Sequence, residues 1–327
     1  MRLVFLSCMT PRLVKPQPVW DHVAALAPDV LLLLGDNIYN DVPDTWIDTL
    51  KEMAPDAFAA HLLGRYREQL AEPGFAALVR NPAVRKFAIW DDHDFLWNGA
   101  NGGDLAGNPA HREQMQITTN VMRIIREVLA NHDSSRLPPN TSDARVWAGV
   151  GQNNFAWMGH EAVVLEAGRT VLHLTDGRSW RKRKVLLGDT QRTSMEAAFA
   201  RSSNALHIVA SGLPFRPTKG DGWHKAPQDH DWLLAQAGSR GWLMLSGDKH
   251  KNDLMTVPTP GGGKLVDATS SGAAIRVKSG IPIITGNKLC NYGVADITAS
   301  QVALSFGDGP TRSNLTLLPR TAGGSLA

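Results

Sequence analysis

The sequence predicts a layered α/β/β/α fold, with two mixed sheets packed face to face and helices on the outer faces. Three observations carry this. Asp29–Leu34 is a nearly continuous aliphatic run bounded by Pro28 and Gly35, the pattern of a strand covered on both sides. Segments with apolar residues at helical spacing, Arg112–Leu129 above all, alternate with such runs. From Arg145 onward, short strand-like runs follow one another closely enough to need a second sheet.

In order, Leu3–Ser7 reads as a buried strand, followed by a proline-punctuated loop and a helix near Trp20–Leu26. Asp44–Leu70 reads as two helices interrupted at Pro55, Val84–Trp90 as a third strand, and Gly99–Pro109, rich in Gly and Asn, as a surface loop. Arg145–Trp147, Phe155–Met158, Ala162–Leu165 and Thr170–Leu174 read as an antiparallel meander. Strands at Leu206–Ala210, Trp242–Leu245 and Lys264–Ala268 follow, with helices around Thr190–Arg201 and Asp229–Ala237. No linker divides the chain, so one domain over 1–320 is expected, with Thr321–Ala327 as a frayed tail.

The 327 residues suffice for a sizeable core, and 43% hydrophobic with 20% charged residues exclude a disordered or fibrous chain. Two cysteines, Cys8 and Cys290, exclude a disulfide framework and a four-cysteine zinc site. A net charge of +3 is too small to require a polyanionic partner. No apolar run reaches the roughly 18–20 residues of a membrane helix, and Leu3–Ser7 is too short for an export signal. The expected location is the cytoplasm, unless a leader has been removed; the sequence gives no oligomeric state.

Four predicted strands end in residues of metal-binding type. LVFLS runs into Cys8, VLLLL into Gly35-Asp36-Asn37-Ile38-Tyr39, KFAIW into Asp91-Asp92-His93-Asp94, and GWLMLS into Gly247-Asp248-Lys249-His250. In open α/β sheets ligands bind outside the carboxyl ends of strands, where the loops converge. Each residue alone has an ordinary reading: the aspartates as caps or turn formers, Cys8 and Tyr39 as core, the histidines as satisfied polar groups. Together, acidic clusters facing one crevice repel one another unless a cation neutralises them.

These motifs resemble those of the alkaline phosphatase D (PhoD-like) branch of the calcineurin-like metallophosphoesterases. Gly35-Asp36-Asn37-Ile38-Tyr39 is similar to the superfamily's Gly-Asp-x-x-Tyr element. Asp92-His93-Asp94 is similar to Asn-His-Asp/Glu with aspartate for the asparagine, and Asp248-Lys249-His250 to His-x-His with aspartate first. Ser7-Cys8, Arg65-Tyr66-Arg67, Asp176-Gly177-Arg178, Leu187-Gly188-Asp189-Thr190-Gln191, Ser211-Gly212-Leu213-Pro214 and Asp221-Gly222-Trp223 extend the resemblance over roughly Leu3 to Ala274.

The resemblance implies the four-layer metallophosphoesterase sandwich and a binuclear centre. Asp36 would bridge two metals, Cys8, Tyr39 and His250 would complete one side, and Asp92 and Asp248 would hold the other. Thiolate and phenolate suit Fe³⁺, carboxylates and water suit Ca²⁺, Mg²⁺ or Mn²⁺, and Zn²⁺ or Mn²⁺ are alternatives for the thiolate side. Such a pair clamps a phosphoryl group and activates water, with His93 assisting the leaving oxygen and Asp94 orienting its ring. The superfamily's histidine ligand near Ser211 is missing here.

Arg178 opens the basic run Arg178–Lys184; it is expected to face the phosphate and the remainder to be a solvated loop, the other reading being attraction of a nucleic acid as substrate. Neither a nucleophile elbow nor a complete phosphate-binding glycine loop occurs. The expected activity is metal-dependent hydrolysis of phosphate esters. A phosphodiesterase of nuclease or phospholipase type, or a non-catalytic metal- or phosphate-binding protein, are the alternatives.

Overall fold

The structure is a computed structural model describing residues 1–152, 157–165, 169–279, 281–282, 285–313 and 315–327. The first three strands, β1 (Arg2–Leu6), β2 (Val30–Leu34) and β3 (Arg85–Ile89), pair in parallel. The second sheet holds β4 (Glu161–Leu165), β5 (Thr170–Leu174), β6 (Leu206–Ser211), β7 (Gly241–Ser246), β8 (Asn252–Pro258) and β9 (Lys264–Ser270), in the order β4-β5-β6-β7-β9-β8. Its four inner strands are parallel, and the edge strands β4 and β8 are antiparallel to them. A small sheet of β10 (Ile275–Lys278), β11 (Ile281–Pro282) and β12 (Asn287–Leu289) precedes a return to the first sheet. There β13 (Asn291–Ile297) lies antiparallel to β1, followed outward by β14 (Gln301–Asp308), on which β15 (Thr311–Arg312) and β16 (Thr316–Pro319) pair.

Alternation along the buried strands makes the layers. Leu3 and Phe5 of β1, with Val30, Leu32 and Leu34 of β2, point between the sheets, where they meet Leu172, Leu174, Leu206, Ile208, Leu243 and Leu245. Val4, Leu6, Leu31 and Leu33 point the other way. They are covered by α1 (Val19–Ala25), α2 (Ile47–Glu52), α3 (Pro55–Leu70), α4 (Pro73–Arg80), α5 (Asp92–Phe95), α6 (Gly102–Leu105) and α7 (Pro109–Asn131). On the far side, α8 (Asp189–Arg201) and α9 (Pro227–Ala237) bury Met195, Phe199 and Leu233 against Val209, Trp242 and Met244. The four layers and two mixed sheets are therefore those expected. Among the described residues, no helix is long and apolar enough to cross a membrane.

Helix boundaries follow local chemistry. Pro55 is the break expected between α2 and α3, because it occupies the first turn of α3, where its missing N–H leaves no bond unmade. The long helix starts three residues before the expected Arg112: Asn108 caps it, its side chain accepting the Ala110 N–H at 3.0 Å, and Pro109 follows.

Several expectations fail for identifiable reasons. Arg145–Trp147 is turn rather than strand: the Asp143 carboxylate accepts the Arg145 N–H at 2.9 Å, and Trp147 Nε1 donates to Thr141 O at 2.6 Å. Of Phe155–Met158, residues 155 and 156 lie outside the described ones, and Trp157 and Met158 are not strand. The Gly99–Pro109 loop contains α6, and Gly102 packs so tightly that a Cβ there would lie 2.3 Å from Ser179 O. The terminal stretch expected to fray is held, with Leu326 buried and bridged to both Gly241 and Arg320.

Candidate metal centre

β1, β2 and β3 point their carboxyl ends to one edge of the first sheet, and β7 of the second sheet ends against them. A Cβ on Gly247 would sit 2.7 Å from Ser7 Oγ and 3.0 Å from Leu34 O, so only glycine lets the β7 end approach the ends of β1 and β2. The candidate ligands follow directly on these ends, and the chain bends sharply to present them. Cys8 (φ 63°), Asp36 (φ 49°), Asp248 (φ 70°) and His250 (φ 49°) all adopt left-handed backbone. Such conformations are disfavoured for residues bearing a Cβ and concentrate at functional sites.

Six predicted ligands converge in one largely buried volume. Asp36 Oδ2 lies 3.2 Å from both Cys8 Sγ and the Tyr39 hydroxyl, and that hydroxyl lies 3.2 Å from His250 Nε2. The other oxygen, Oδ1, faces the backbone N–H of His93 at 3.4 Å. Ligand atoms of Asp36, Asp92 and His93 lie within 4.8 Å of one another. The Asp92 carboxylate accepts the Gly99 N–H at 2.6 Å through Oδ2, while Oδ1 accepts no hydrogen bond and has Arg178 Nη2 at 3.5 Å. Asp248, which senses the charge of Asp92, forms an ion pair with Lys249.

The electrostatics are those of anions confined together. Burial, and then Cys8, Asp92 and Asp91, hold Asp36 well above the usual carboxylate range. Burial pushes the Cys8 thiol up to about 11, against hydrogen bonds from Ser271 and Tyr39. Tyr39 is raised by burial and by Cys8 and Asp36, and Asp248 by burial and Asp92. Asp92 alone goes down, to about 2, because Arg178 and His93 outweigh its burial. Burial and mutual repulsion raise the proton affinity of Cys8, Tyr39, Asp36 and Asp248, and with the Asp92 carboxylate and the His250 imidazole they form a donor set that a cation relieves, so the residues fit a metal centre.

His93 occupies the position expected of it, but its partner differs. Asp41 Oδ1 lies 2.5 Å from His93 Nδ1 and is itself buried, its other oxygen accepting the Asn98 N–H at 2.8 Å. Asp94, expected to orient the ring, is engaged elsewhere. It closes the capping box of α5 by accepting the Asp91 N–H at 3.0 Å, and it accepts the Asn37 N–H at 2.9 Å and the Tyr66 hydroxyl at 3.2 Å. Burial disfavours the His93 imidazolium, but Asp41, Asp36 and Asp92 together overcome it and raise the pKa to about 10. The ring also lies on Tyr39, with centroids 4.0 Å apart.

Arg178 does not face an incoming phosphate. It is fully buried, with Nε 2.5 Å from Asp91 Oδ1 and its terminal nitrogens 3.5 Å from Asp92 and from Asp221. Arg181 is also buried, paired with Asp221, whereas Lys182, Arg183 and Lys184 are exposed, as a solvated loop requires. Ser211, where a histidine ligand is absent, turns into the scaffold: its hydroxyl donates to Leu213 O at 2.7 Å and accepts Trp223 Nε1 at 2.9 Å. Asp176 receives Trp90 Nε1 at 2.9 Å and the N–H groups of Arg178 and Ser179, and Gln191 bonds both its N–H and its carbonyl. These motif residues brace the site without lining it.

Over its whole length the chain superposes on the structure of PhoD with a TM-score of 0.64 at 14% identity, covering 71% of that chain. The chain is PhoD-like in fold. It also superposes over 96% of its length on 98% of a dimetal phosphatase from Danio rerio, with a TM-score of 0.51 at 11% identity. No family model and no curated protein matches the sequence. The resemblance read from the strand-end motifs and the PhoD-like fold thus agree, though so few residues are shared.

Proposed function

We propose that the protein hydrolyses phosphate esters at a binuclear metal centre. The observation that carries this reading is the environment of Asp36, with Cys8 and Tyr39 against Oδ2, the His93 backbone N–H on Oδ1, and ligand atoms of Asp92 and His93 within 4.8 Å of the carboxylate. Cys8, Tyr39 and His250 would hold one ion, Asp92 and Asp248 the second, and Asp36 both. When bound, the pair supplies Lewis acidity to the phosphoryl group and makes water nucleophilic at neutral pH. Thiolate and phenolate favour Fe³⁺ on the first side, with Zn²⁺ or Mn²⁺ as alternatives, and the carboxylate side suits Ca²⁺, Mn²⁺ or Mg²⁺.

The chain's own residues perform the proton chemistry. Asp41 fixes His93 through Nδ1, leaving Nε2 as the nitrogen that gives a proton to the departing ester oxygen. Asp41, which is not among the proposed ligands, favours the protonated ring, the state an acid needs. The products are the free alcohol and a phosphate carrying the attacking oxygen. Residues 1–320 act as one catalytic unit in this reading, and the cytoplasmic setting expected from the sequence belongs to it.

The buried pairing of Arg178 gives weight to the diesterase reading. A dianionic monoester gains most from a cation facing its non-bridging oxygens, and Arg178 is turned toward Asp91, Asp92 and Asp221 instead. A monoanionic diester needs less. Steady-state turnover of matched mono- and diesters by protein of measured metal content tests both readings. Two bound metals with no turnover of any ester would leave a non-catalytic binding protein.

A further inference from the structure

Exposure around the centre is one-sided. Cys8, Asp36, Tyr39 and Asp92 are buried, whereas Asp248 and His250, the proposed ligands that follow β7, are half-buried. The centre therefore meets solvent along Asp248-Lys249-His250. Left-handed backbone at Asp248 and His250, with the Lys249 N–H donating to Gly247 O at 3.0 Å, makes a tight turn that holds Lys249 between the two ligands.

A surface lysine normally carries its ammonium out into water. Lys249 does not: its side chain is only 14% exposed, and the ammonium turns back to pair with Asp248. Gly220, exposed and at φ 90°, lies against the ammonium, and an added Cβ there would sit 3.6 Å from Nζ. Confining a lysine in this way costs side-chain entropy, which the pairing offsets only while Asp248 keeps its charge to itself.

The neighbouring cations are committed to other acids. Arg178 pairs with Asp91, Asp92 and Asp221, Arg181 with Asp221, and Lys251 shares Asp253 with Arg216. Among the described residues the ion-pair partner of Lys249 is Asp248, which is itself a proposed ligand. In the phosphoesterase reading a trivalent and a divalent ion match the anionic ligands Cys8, Tyr39, Asp36, Asp92 and Asp248. The charge of Lys249 is then left unspent at the open side of the centre.

We propose that Lys249 is a further catalytic residue, whose ammonium binds a non-bridging oxygen of the phosphoryl group. The proposal rests on the phosphoesterase reading above. An ammonium is a compact point charge that meets one oxygen, where a guanidinium clamps two. One such contact suits the single negative charge of a diester, the class to which the buried pairing of Arg178 gives weight.

The test uses the full-length, metal-loaded protein, with metal content measured in every variant. Lys249→Met should lower kcat/KM by about 10–100-fold on whichever esters turn over, the range for losing one charge-assisted hydrogen bond. Lys249→Arg should keep part of the activity, because the charge remains and its shape changes. Calorimetric binding of inorganic phosphate gives a readout independent of turnover: Lys249→Met should bind it about tenfold more weakly while holding as much metal as the wild type. Phosphate binding indifferent to residue 249 overturns the contact and leaves hydrolysis standing. So does a Lys249→Met protein that loses metal and regains phosphate binding when metal is resupplied, since the lysine then acts only through Asp248. Lys249-dependent phosphate binding without turnover of any ester overturns hydrolysis and leaves the contact standing. Absence of both overturns both.

Discussion

Replacing Arg178 by methionine removes, among the described residues, the cation that pairs with Asp91 in a fully buried position. Arg178 Nε sits 2.5 Å from Asp91 Oδ1, the second Asp91 oxygen accepts no hydrogen bond, and Asp92 and Asp221 each stand 3.5 Å from the guanidinium. Removing one member of a buried ion pair strands the other, at a cost of up to about 3–5 kcal/mol, reached in full only well above neutral pH, because burial raises Asp91 to about 7 even beside Arg178. For 327 residues, an unfolding entropy of about 2.1 cal/mol/K per residue gives about 0.7 kcal/mol per degree. Well above neutral pH the midpoint should therefore fall by up to about 4–7 °C, with the urea midpoint falling in parallel. The double variant Arg178→Met/Asp91→Asn should recover much of the loss, because the stranded charge is gone. Thermal and urea unfolding of the wild type, both variants and Asp91→Asn alone complete the cycle. A single variant within about 1 kcal/mol of the wild type at that pH that has lost activity on every ester alike would refute this reasoning and restore Arg178 as a phosphate contact.

His93→Ala should lower kcat by about 10²–10⁴, with a smaller loss for esters of acidic leaving groups such as nitrophenol. Asp41→Asn should reproduce a milder form of the same leaving-group dependence, because it acts through the ring, and an equal loss across leaving groups would assign His93 to positioning instead. If iron occupies the thiolate side, the protein should carry a visible charge-transfer band that Tyr39→Phe shifts or abolishes; a colourless, iron-free and fully active protein would point to zinc or manganese. Acid lability should come from His160, His173 and His207, whose rings form a hydrogen-bonded chain with links of 3.0 and 2.9 Å. Burial holds His160 and His207 down at about 4, Arg201 adding to the effect at the first and Arg240 at the second, whereas an unfolded histidine titrates near 6.5. The stability they contribute is full above about pH 6.5 and lost as the pH falls toward 4, by up to about 1.4 kcal/mol per pH unit for each ring. His207→Leu should reduce that slope by one ring's share, as read from urea midpoints across the window, and an unchanged slope would show that the loss arises elsewhere.

Much of the site was legible because strand ends carry the chemistry. A run such as Val30–Leu34 can only be a buried strand, so the residues after it, Gly35 to Tyr39, had to emerge at its carboxyl end. The sequence does not announce the left-handed backbone at Cys8, Asp36, Asp248 and His250, since none is the glycine that normally signals it. Asp41 was missed because an aspartate after Asn40 reads as a turn former, and its long-range bond to His93 leaves no local pattern. Arg178 was placed correctly in the chain but pointed the wrong way: its partners Asp91 and Asp221 are distant in sequence. The late strands β13 and β14 are not among the strands expected from the sequence, and each carries a glycine, Gly293 and Gly307. Here each makes room for an aromatic ring, since a Cβ would meet the Phe5 ring at 2.2 Å and the Tyr292 ring at 2.0 Å.

The central claim is that one carboxylate joins two metal sites, and metal content measures it directly. Elemental analysis of purified wild-type protein and of Asp36→Asn, each shown to be folded by circular dichroism, should find close to two equivalents in the first and loss of most of both in the second. Full metal occupancy in a folded Asp36→Asn protein, or a wild type that binds none when metals are supplied, would contradict it.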